Sequence, residues 1–353
     1  MGRVLIAMSG GVDSSAAAKL LKGAGHDCLG CTMRLYTNED AGLPVGRTCC
    51  SLRDTEDARD VACRLKMPFY VFNFSDEFRE IVIRRFAESY CNGLTPNPCI
   101  DCNRYFKFSR LLERARLLGC DHIATGHYAR IAHESGRYVL KKALDPAKDQ
   151  SYVLYEMTQE ELAHTYFPLG ALTKAQARAV AQGAGFENAE KPDSQDICFV
   201  PDGDYAAAIE RFLGRRAPTG PFVDTDGKPL GTHRGLIRYT IGQHRGLGLS
   251  LPERRYVCRL CPQENTVVLG GEEALYRTEV RVGEFHWIGE AQQRLKCTAK
   301  LRYRQPEQPA LLTALPDGTV QLTFERPQRA VTPGQAAVVY SGDVVLGGGR
   351  ILP

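Results

Sequence analysis

Two groups of residues in this 353-residue chain have the types and spacing to do chemistry: a Ser-Gly-Gly turn near the N-terminus and a set of cysteines. In RVLIAMSGGVDSSAAAKLL, residues 3–21, an apolar run that reads as a buried strand meets Ser9, Gly10 and Gly11 and then a helix start. Paired glycines let the backbone approach an anion closely. Asp13, Ser14 and Ser15 fall where a new helix offers unpaired N–H groups and the positive end of its dipole. The string is a phosphate cradle, yet it lacks the lysine that G-x-x-x-x-G-K-[ST] requires before its hydroxyl residue. A strand-to-helix turn using glycine for geometry alone is the competing reading.

Three C-x-x-C pairs occur among thirteen cysteines: Cys28/Cys31, Cys99/Cys102 and Cys258/Cys261. The first and last fall in strand-like runs, where residues three apart point to opposite faces and cannot chelate one ion. Those four read as small buried hydrophobes, with a four-cysteine zinc site as the alternative. In GLTPNPCIDCNRYFKF, two X-Pro steps hold the chain extended. Cys99 and Cys102 follow in a turn ahead of a helix expected from Asn103, where both sulfurs can converge. A helix N-terminus lowers a thiol pKa and favours the thiolate that attacks electrophiles or binds metal. Cys198, in DSQDICFVPDGD, would alone read as a core cysteine. So many thiols, odd in number and beside an anion loop, point to a reducing compartment and not to a disulfide scaffold.

The elements that must position these residues alternate through the first half. Strands are expected at 3–8, 27–34, 68–74 and 121–125, helices at 14–24, 54–66, 76–91 and 104–118. A hairpin at 128–142, a helix at 173–184 and an ordered loop through KPDSQDICFVPDGD follow. This order implies an α/β fold whose parallel, Rossmann-like sheet binds ligands at the carboxyl ends of its strands. After about residue 210, short β runs are split by Gly and Pro. Cuts near 205 and 275 give a catalytic domain (1–204), a small β domain (205–274) and a C-terminal β-barrel (275–353). No apolar run reaches the roughly 18–20 residues a bilayer needs, and the N-terminus has no signal-peptide pattern, so a cytoplasmic protein is expected.

The net charge of +4 is mild, but residues 211–255 hold nine Arg or Lys against three acids. In RLKCTAKLRYR, residues 294–304, alternation places Arg294, Lys296, Lys300, Arg302 and Arg304 on one face of a strand. Five cations without an acid form a rail whose natural partner is a phosphate backbone.

SGGVDSS resembles the PP-loop of enzymes that cut ATP between the α and β phosphates. Over nearly its whole length the chain resembles the tRNA-specific 2-thiouridylase family, which thiolates the wobble uridine of tRNAs for Lys, Glu and Gln. The matching strings are AMSGGVDSS, CCSLRDTEDARDVACRL, TPNPCIDCN, ATGHYARI, AKDQSYVLY, KPDSQDICF, YTIGQHRGLG, LRYRQ and PGQAAVVYSGD. The resemblance implies that Ala7, Met8, Ser9, Gly10, Gly11, Val12, Asp13 and Ser14 bind ATP phosphates, with Met33 at the adenine and Gly126 lining the pocket. It implies Cys102 as the nucleophile-type cysteine, Cys198 as carrier of a persulfide sulfur, and Asp13 in catalysis with Mg²⁺. Asn97, His127, Lys148, Asp149, Gln150, Arg302, Tyr303 and Gln335 are implied at the tRNA.

One position departs from the family pattern. Where many members have Asp three residues before the nucleophilic cysteine, this chain has Cys99. Three thiolates, Cys99, Cys102 and Cys198, could hold a [4Fe–4S] cluster with one iron open to hydrosulfide; alternatively Cys99 is a spare thiol in a metal-free persulfide route. Adenylation of the uracil C2 oxygen makes AMP the leaving group for sulfur. That sulfur is expected from a persulfide carrier, a cysteine desulfurase or sulfide. Rival readings are an amidotransferase or synthetase with the same ATP chemistry, or an RNA-binding protein with structural ATP.

Overall fold

A computed structural model describes residues 2–43, 50–192 and 197–353. Cys49 and residues 193–196, which belong to two of the matching strings and to the loop expected to be ordered, lie outside them. The chain forms two compact units: Met1–Ile81 with Cys99–Pro201 and Gly342–Leu346, and Val82–Pro98 with Asp202–Ser341 and Gly347–Pro353.

The first unit is built on a five-stranded sheet. β1 (Arg3–Ala7), β2 (Asp27–Arg34), β3 (Phe69–Asn73) and β4 (His122–Ala124) match the expected runs closely. β5 (Ala129–Glu134) and β6 (Arg137–Lys142) form the expected hairpin, and β7 (Thr165–Tyr166) is a short addition. The order β3-β2-β1-β4-β7 is parallel throughout. Strand order reverses between β1 and β4, so the crevice for a ligand opens where the loops after these two strands diverge. Helix α1 (Val12–Gly23) follows β1, and helix α2 (Cys50–Arg64) precedes β3. Val4, Ile6, Val12, Leu21, Val61 and Ala124 share one core across sheet and helices.

Two helical stretches depart from simple α winding. Arg79–Ile83 and Asn103–Arg110 are π-helical, each continuous with α-helix on either side. The helix before Asn103 begins earlier than the sequence suggests: Pro98–Cys102 is already helical. Pro98 occupies the first helical position, where its missing N–H costs nothing and its φ is already suited to the helix.

In the second unit, Gly220–Val223 (β8), Pro229–His233 (β9), Tyr256–Cys261 (β10) and Thr266–Gly270 (β11) make a four-stranded sheet over Phe222, Tyr239, Val257, Val267 and Leu269. Six further strands are Tyr276–Trp287 (β12), Arg294–Lys300 (β13), Gln308–Ala314 (β14), Val320–Arg329 (β15), Ala336–Ser341 (β16) and Val344–Ile351 (β17). They close into an antiparallel barrel through the pairing of β12 with β17. Closure leaves no open edge.

β13 corrects the expected basic rail. The strand ends at Lys300, and residues 301–305 form a turn. Strand alternation therefore does not carry on to Arg302 and Arg304. Arg294 and Lys296 are exposed, whereas the Arg302 guanidinium turns back to donate to Ala330 O (3.0 Å), Ile241 O (3.3 Å) and Thr332 Oγ1.

Candidate active site

The loop after β1 is fixed by hydroxyls and by close backbone approaches. Ser9 N donates to Ser14 Oγ (3.1 Å), and the Ser14 and Ser15 hydroxyls both donate to Gly11 O (3.0 Å). Gly10 takes φ +71°, and a Cβ there would lie 2.2 Å from Asp54 O of α2, so only glycine fits. Gly11 caps α1 without a side-chain acceptor, which leaves the leading N–H groups of the helix open to an anion. Met8 is tied to β2 by Met8 N to Cys31 O (2.7 Å) and by Thr32 Oγ1 to Met8 O (2.7 Å). Met33 lies at the carboxyl end of that strand, opposite Phe72.

The loop after β4 completes the crevice. A Cβ at Gly126 would lie 2.8 Å from Ser14 N and 2.9 Å from Asp13 C, so glycine is what allows this loop to touch the start of α1. From the same segment Tyr128 OH donates to Asp13 Oδ1 (2.8 Å). Lys174 Nζ donates to that oxygen as well (2.7 Å). Asn188 donates to Gly10 O and Ser15 Oγ (both 2.9 Å), while its buried Oδ1 has no partner among the described residues. Lys191 pairs with Asp54 and with Asp57 (2.8 Å) at the start of α2, and these hydrogen bonds hold its ammonium charged above the usual pKa against the burial that opposes them. Tyr128 was within reach of the sequence as part of ATGHY. Lys174 and Asn188 carried no local signal of their own.

The same unit holds Cys99, Cys102 and Cys198. Cys99 and Cys102 sit three apart on Pro98–Cys102, hence on one helical face, with Cys99 exposed and Cys102 only 7% exposed. Cys198 presents surface to solvent, and its thiol lies within electrostatic reach of both. Burial pushes the Cys102 thiol up to about 11, with Lys107 pulling the other way. The Cys198 thiol is raised by burial, then by Cys102 and Cys99, and Lys107 again opposes the rise. The lowering expected for Cys102 from a helix N-terminus is therefore not what the fold delivers, because desolvation outweighs it. Lys107 is the cation that sequence reading missed. Lys107 lies on the π-helical stretch Asn103–Arg110 and acts electrostatically on Cys102. His127, buried between Phe108 and Phe167 and bonded to Thr125 Oγ1 (2.7 Å), is held well below its ordinary pKa by burial and by Lys107. It is a neutral imidazole.

Family models match three stretches: a tRNA methyl transferase HUP domain at residues 2–202, a tRNA methyl transferase PRC-barrel domain at 207–271 and an aminomethyltransferase beta-barrel domain at 277–351. The tRNA-specific 2-thiouridylase MnmA of Moorella thermoacetica is 50% identical over 352 residues, covering 98% of both chains. That of Symbiobacterium thermophilum is 49% identical, covering 99% of this chain and 92% of the relative. That of Clostridium acetobutylicum is 46% identical, covering 99% of each. The chain belongs to the tRNA-specific 2-thiouridylase family.

The remaining residues implied by the 2-thiouridylase resemblance fall into two groups. Asp149 and Gln150 are engaged by their own fold: Asp149 accepts from Ala143 N (3.0 Å) and from Ser151 N and Oγ (3.2 and 2.8 Å), and Gln150 Oε1 accepts from Tyr128 N (2.9 Å). Lys148 is half-buried beside them. In the second unit, Gln335 Nε2 donates to Thr95 O (2.8 Å), two residues before Asn97, and Arg302 is bonded inward as described. Tyr303 remains exposed, with the Lys300 ammonium 6.0 Å from its ring centroid. An iron–sulfur site is one of the two alternatives open at Cys99, Cys102 and Cys198. Among the described residues no three His, Cys, Asp or Glu gather closely enough to hold a single metal ion, while Cys99 and Cys102 both act electrostatically on Cys198.

Proposed function

We propose that this chain thiolates C2 of the wobble uridine in tRNAs for Lys, Glu and Gln, consuming ATP and releasing AMP and pyrophosphate. One observation carries this reading. A phosphate cradle without a loop lysine shares a compact unit with Cys102 and Cys198, which lie within electrostatic reach of each other. A cradle alone would suit an amidotransferase or synthetase, and thiols alone would suit a redox enzyme. The combination suits adenylation followed by sulfur transfer, and the curated relatives named above are 2-thiouridylases.

In this reading the uracil C2 oxygen attacks the α phosphorus, and the bond to the bridging oxygen breaks with its electron pair leaving on pyrophosphate. The open N–H groups of α1 stabilise that charge. Asp13 would hold the Mg²⁺ that accompanies ATP, which would supply further charge neutralisation. The terminal sulfur of a Cys198 persulfide, loaded by a persulfide carrier or cysteine desulfurase, attacks C2 and expels AMP. The Cys102 thiolate then attacks the Cys198 sulfur, releasing 2-thiouridine and leaving a Cys102–Cys198 disulfide for a dithiol to reduce. Neutral His127, beside Thr125, can accept a hydrogen bond from the extruded base without adding charge. Among the described residues no helix is long and apolar enough to cross a membrane. A cytoplasmic location, where tRNA and reducing dithiols meet, suits the reaction.

Incubating the chain with ATP, unmodified tRNA and a persulfide donor tests the reading. Expected are tRNA-dependent AMP and pyrophosphate in equal amounts, together with 2-thiouridine in the digested tRNA. Formation of ADP, or AMP release indifferent to tRNA, overturns it.

A further inference from the structure

The loop after β1 lacks a lysine of its own, yet the fold delivers one to it from 161 residues further along the chain. Lys174 opens the helix Lys174–Gly183. Its root is fixed three ways. Thr173 and Gln176 form a capping box, Lys174 N donates to Asp145 Oδ2 (3.1 Å), and Ala177 packs in a core with Ala16, Ala17 and Tyr128. From this anchored start the side chain, 15% exposed, places its ammonium 2.7 Å from Asp13 Oδ1, at the second residue of α1. A largely desolvated cation thus stands at the helix end whose N–H groups carry no side-chain cap.

A lysine that only held Asp13 would duplicate Tyr128, which already donates to the same oxygen. A four-carbon stem with a rotatable ammonium has a second capacity: it can let go of a carboxylate and follow a phosphate. Resting on the adenylation reading above, we propose that Lys174 binds the β and γ phosphates of ATP and neutralises pyrophosphate as it departs. On nucleotide entry Lys174 exchanges Asp13 for phosphate, which frees the Asp13 carboxylate for the divalent cation that ATP brings. The uracil oxygen gains the bond to the α phosphorus and the bridging oxygen leaves with the electron pair. Lys174 stays protonated throughout and transfers no proton. The cation found inside a lysine-bearing phosphate loop is here supplied from a separate helix.

Calorimetric titration of the full chain with magnesium pyrophosphate and, separately, with AMP tests the assignment in Lys174→Met, Lys174→Arg and Tyr128→Phe. Loss of one charge-assisted contact weakens pyrophosphate binding about tenfold to a hundredfold in Lys174→Met. AMP binding should stay within about twofold, Lys174→Arg should recover most of the loss, and Tyr128→Phe should change pyrophosphate binding less than about threefold. Unchanged pyrophosphate affinity in a Lys174→Met chain with wild-type thermal unfolding overturns the assignment. So does an equal loss in Tyr128→Phe, which would make Lys174 a prop for Asp13. A wild-type chain that bound no pyrophosphate would overturn the adenylation reading and this assignment together; the variants alone failing would leave that reading standing.

Discussion

The first unit contains the C-x-x-C spacing twice, and the two copies meet opposite fates. In β2, Cys28 and Cys31 are fully buried, in register with Val4 and Ala7 of β1. Burial raises both thiols, and Cys31 is raised further by Cys120. A strand sends positions three apart to opposite faces, so the pair is divided between the two sides of the sheet. On Pro98–Cys102 the same spacing falls on one face, and both sulfurs come within electrostatic reach of Cys198. A cation acts on each pair, Lys22 on Cys28 and Lys107 on Cys102, so it is the carrying element that separates them. Spacing becomes chemistry only through the element that carries it.

The widest separation between the pairs should appear on replacing their sulfurs. Cys102→Ala and Cys198→Ala each lose single-turnover thiolation by about a thousandfold or more, since each removes a sulfur that must form or break a bond. Cys28→Ala and Cys31→Ala keep the rate within about twofold and instead lower unfolding free energy by about 1–2 kcal/mol, as small cavities do. Mass spectrometry of digested tRNA reads the first effect and thermal unfolding the second. A Cys31→Ala chain that folds normally but fails to thiolate would erase the distinction.

The contrast between the pairs was visible in sequence because it rests on local periodicity. So were β1, β2 and β3, whose apolar runs end within a residue or two of the observed strands, and Gly10, whose φ > 0 turn needs a glycine. Three other features were not visible, each for a different reason. The rail through Arg302 failed because alternation was carried past Lys300, and nothing in LRYR announces that Arg302 will donate to Ala330 and Ile241. The i→i+5 winding of Asn103–Arg110, which carries Lys107, leaves no mark in NRYFKFSR. Lys174 reaches Asp13 only through the packing of its helix on α1, a long-range event that a capping box at Thr173 does not foretell.

A smaller effect should follow from removing the cation that acts on Cys102. With its thiol at about 11, Cys102 is almost wholly protonated at neutral pH, so its alkylation should quicken about tenfold per pH unit and level off only near 11. An unperturbed thiol would level off nearer 9. Lys107 favours the thiolate, so Lys107→Met moves the plateau to still higher pH and slows alkylation at pH 8 by about threefold to tenfold. Lys107→Arg should keep most of the wild-type profile. Identical profiles for wild type and Lys107→Met would remove Lys107 from the account of Cys102.

The smallest change in rate is expected at Cys99, the exposed partner of Cys102. It shares a helical face with Cys102 but takes no bond-forming part in the persulfide route proposed above, in which Cys198 would carry the sulfur and Cys102 would resolve it. Cys99→Ala should therefore thiolate tRNA from a persulfide donor within about twofold of wild type. Its absence also removes a neighbour that disfavours ionisation of Cys102 and Cys198, which shifts both thiols slightly downward and makes Cys102 marginally quicker to alkylate. A site that depended on three thiolates acting jointly would behave otherwise: Cys99→Ala, Cys102→Ala and Cys198→Ala would fail alike. Purification without oxygen, reconstitution with iron and sulfide, and counting of both alongside the thiolation rate separate the two outcomes. A Cys99→Ala chain that loses iron and activity together, with the wild type restored by iron and sulfide, would turn the helical pair from a nucleophile and its neighbour into ligands of one centre.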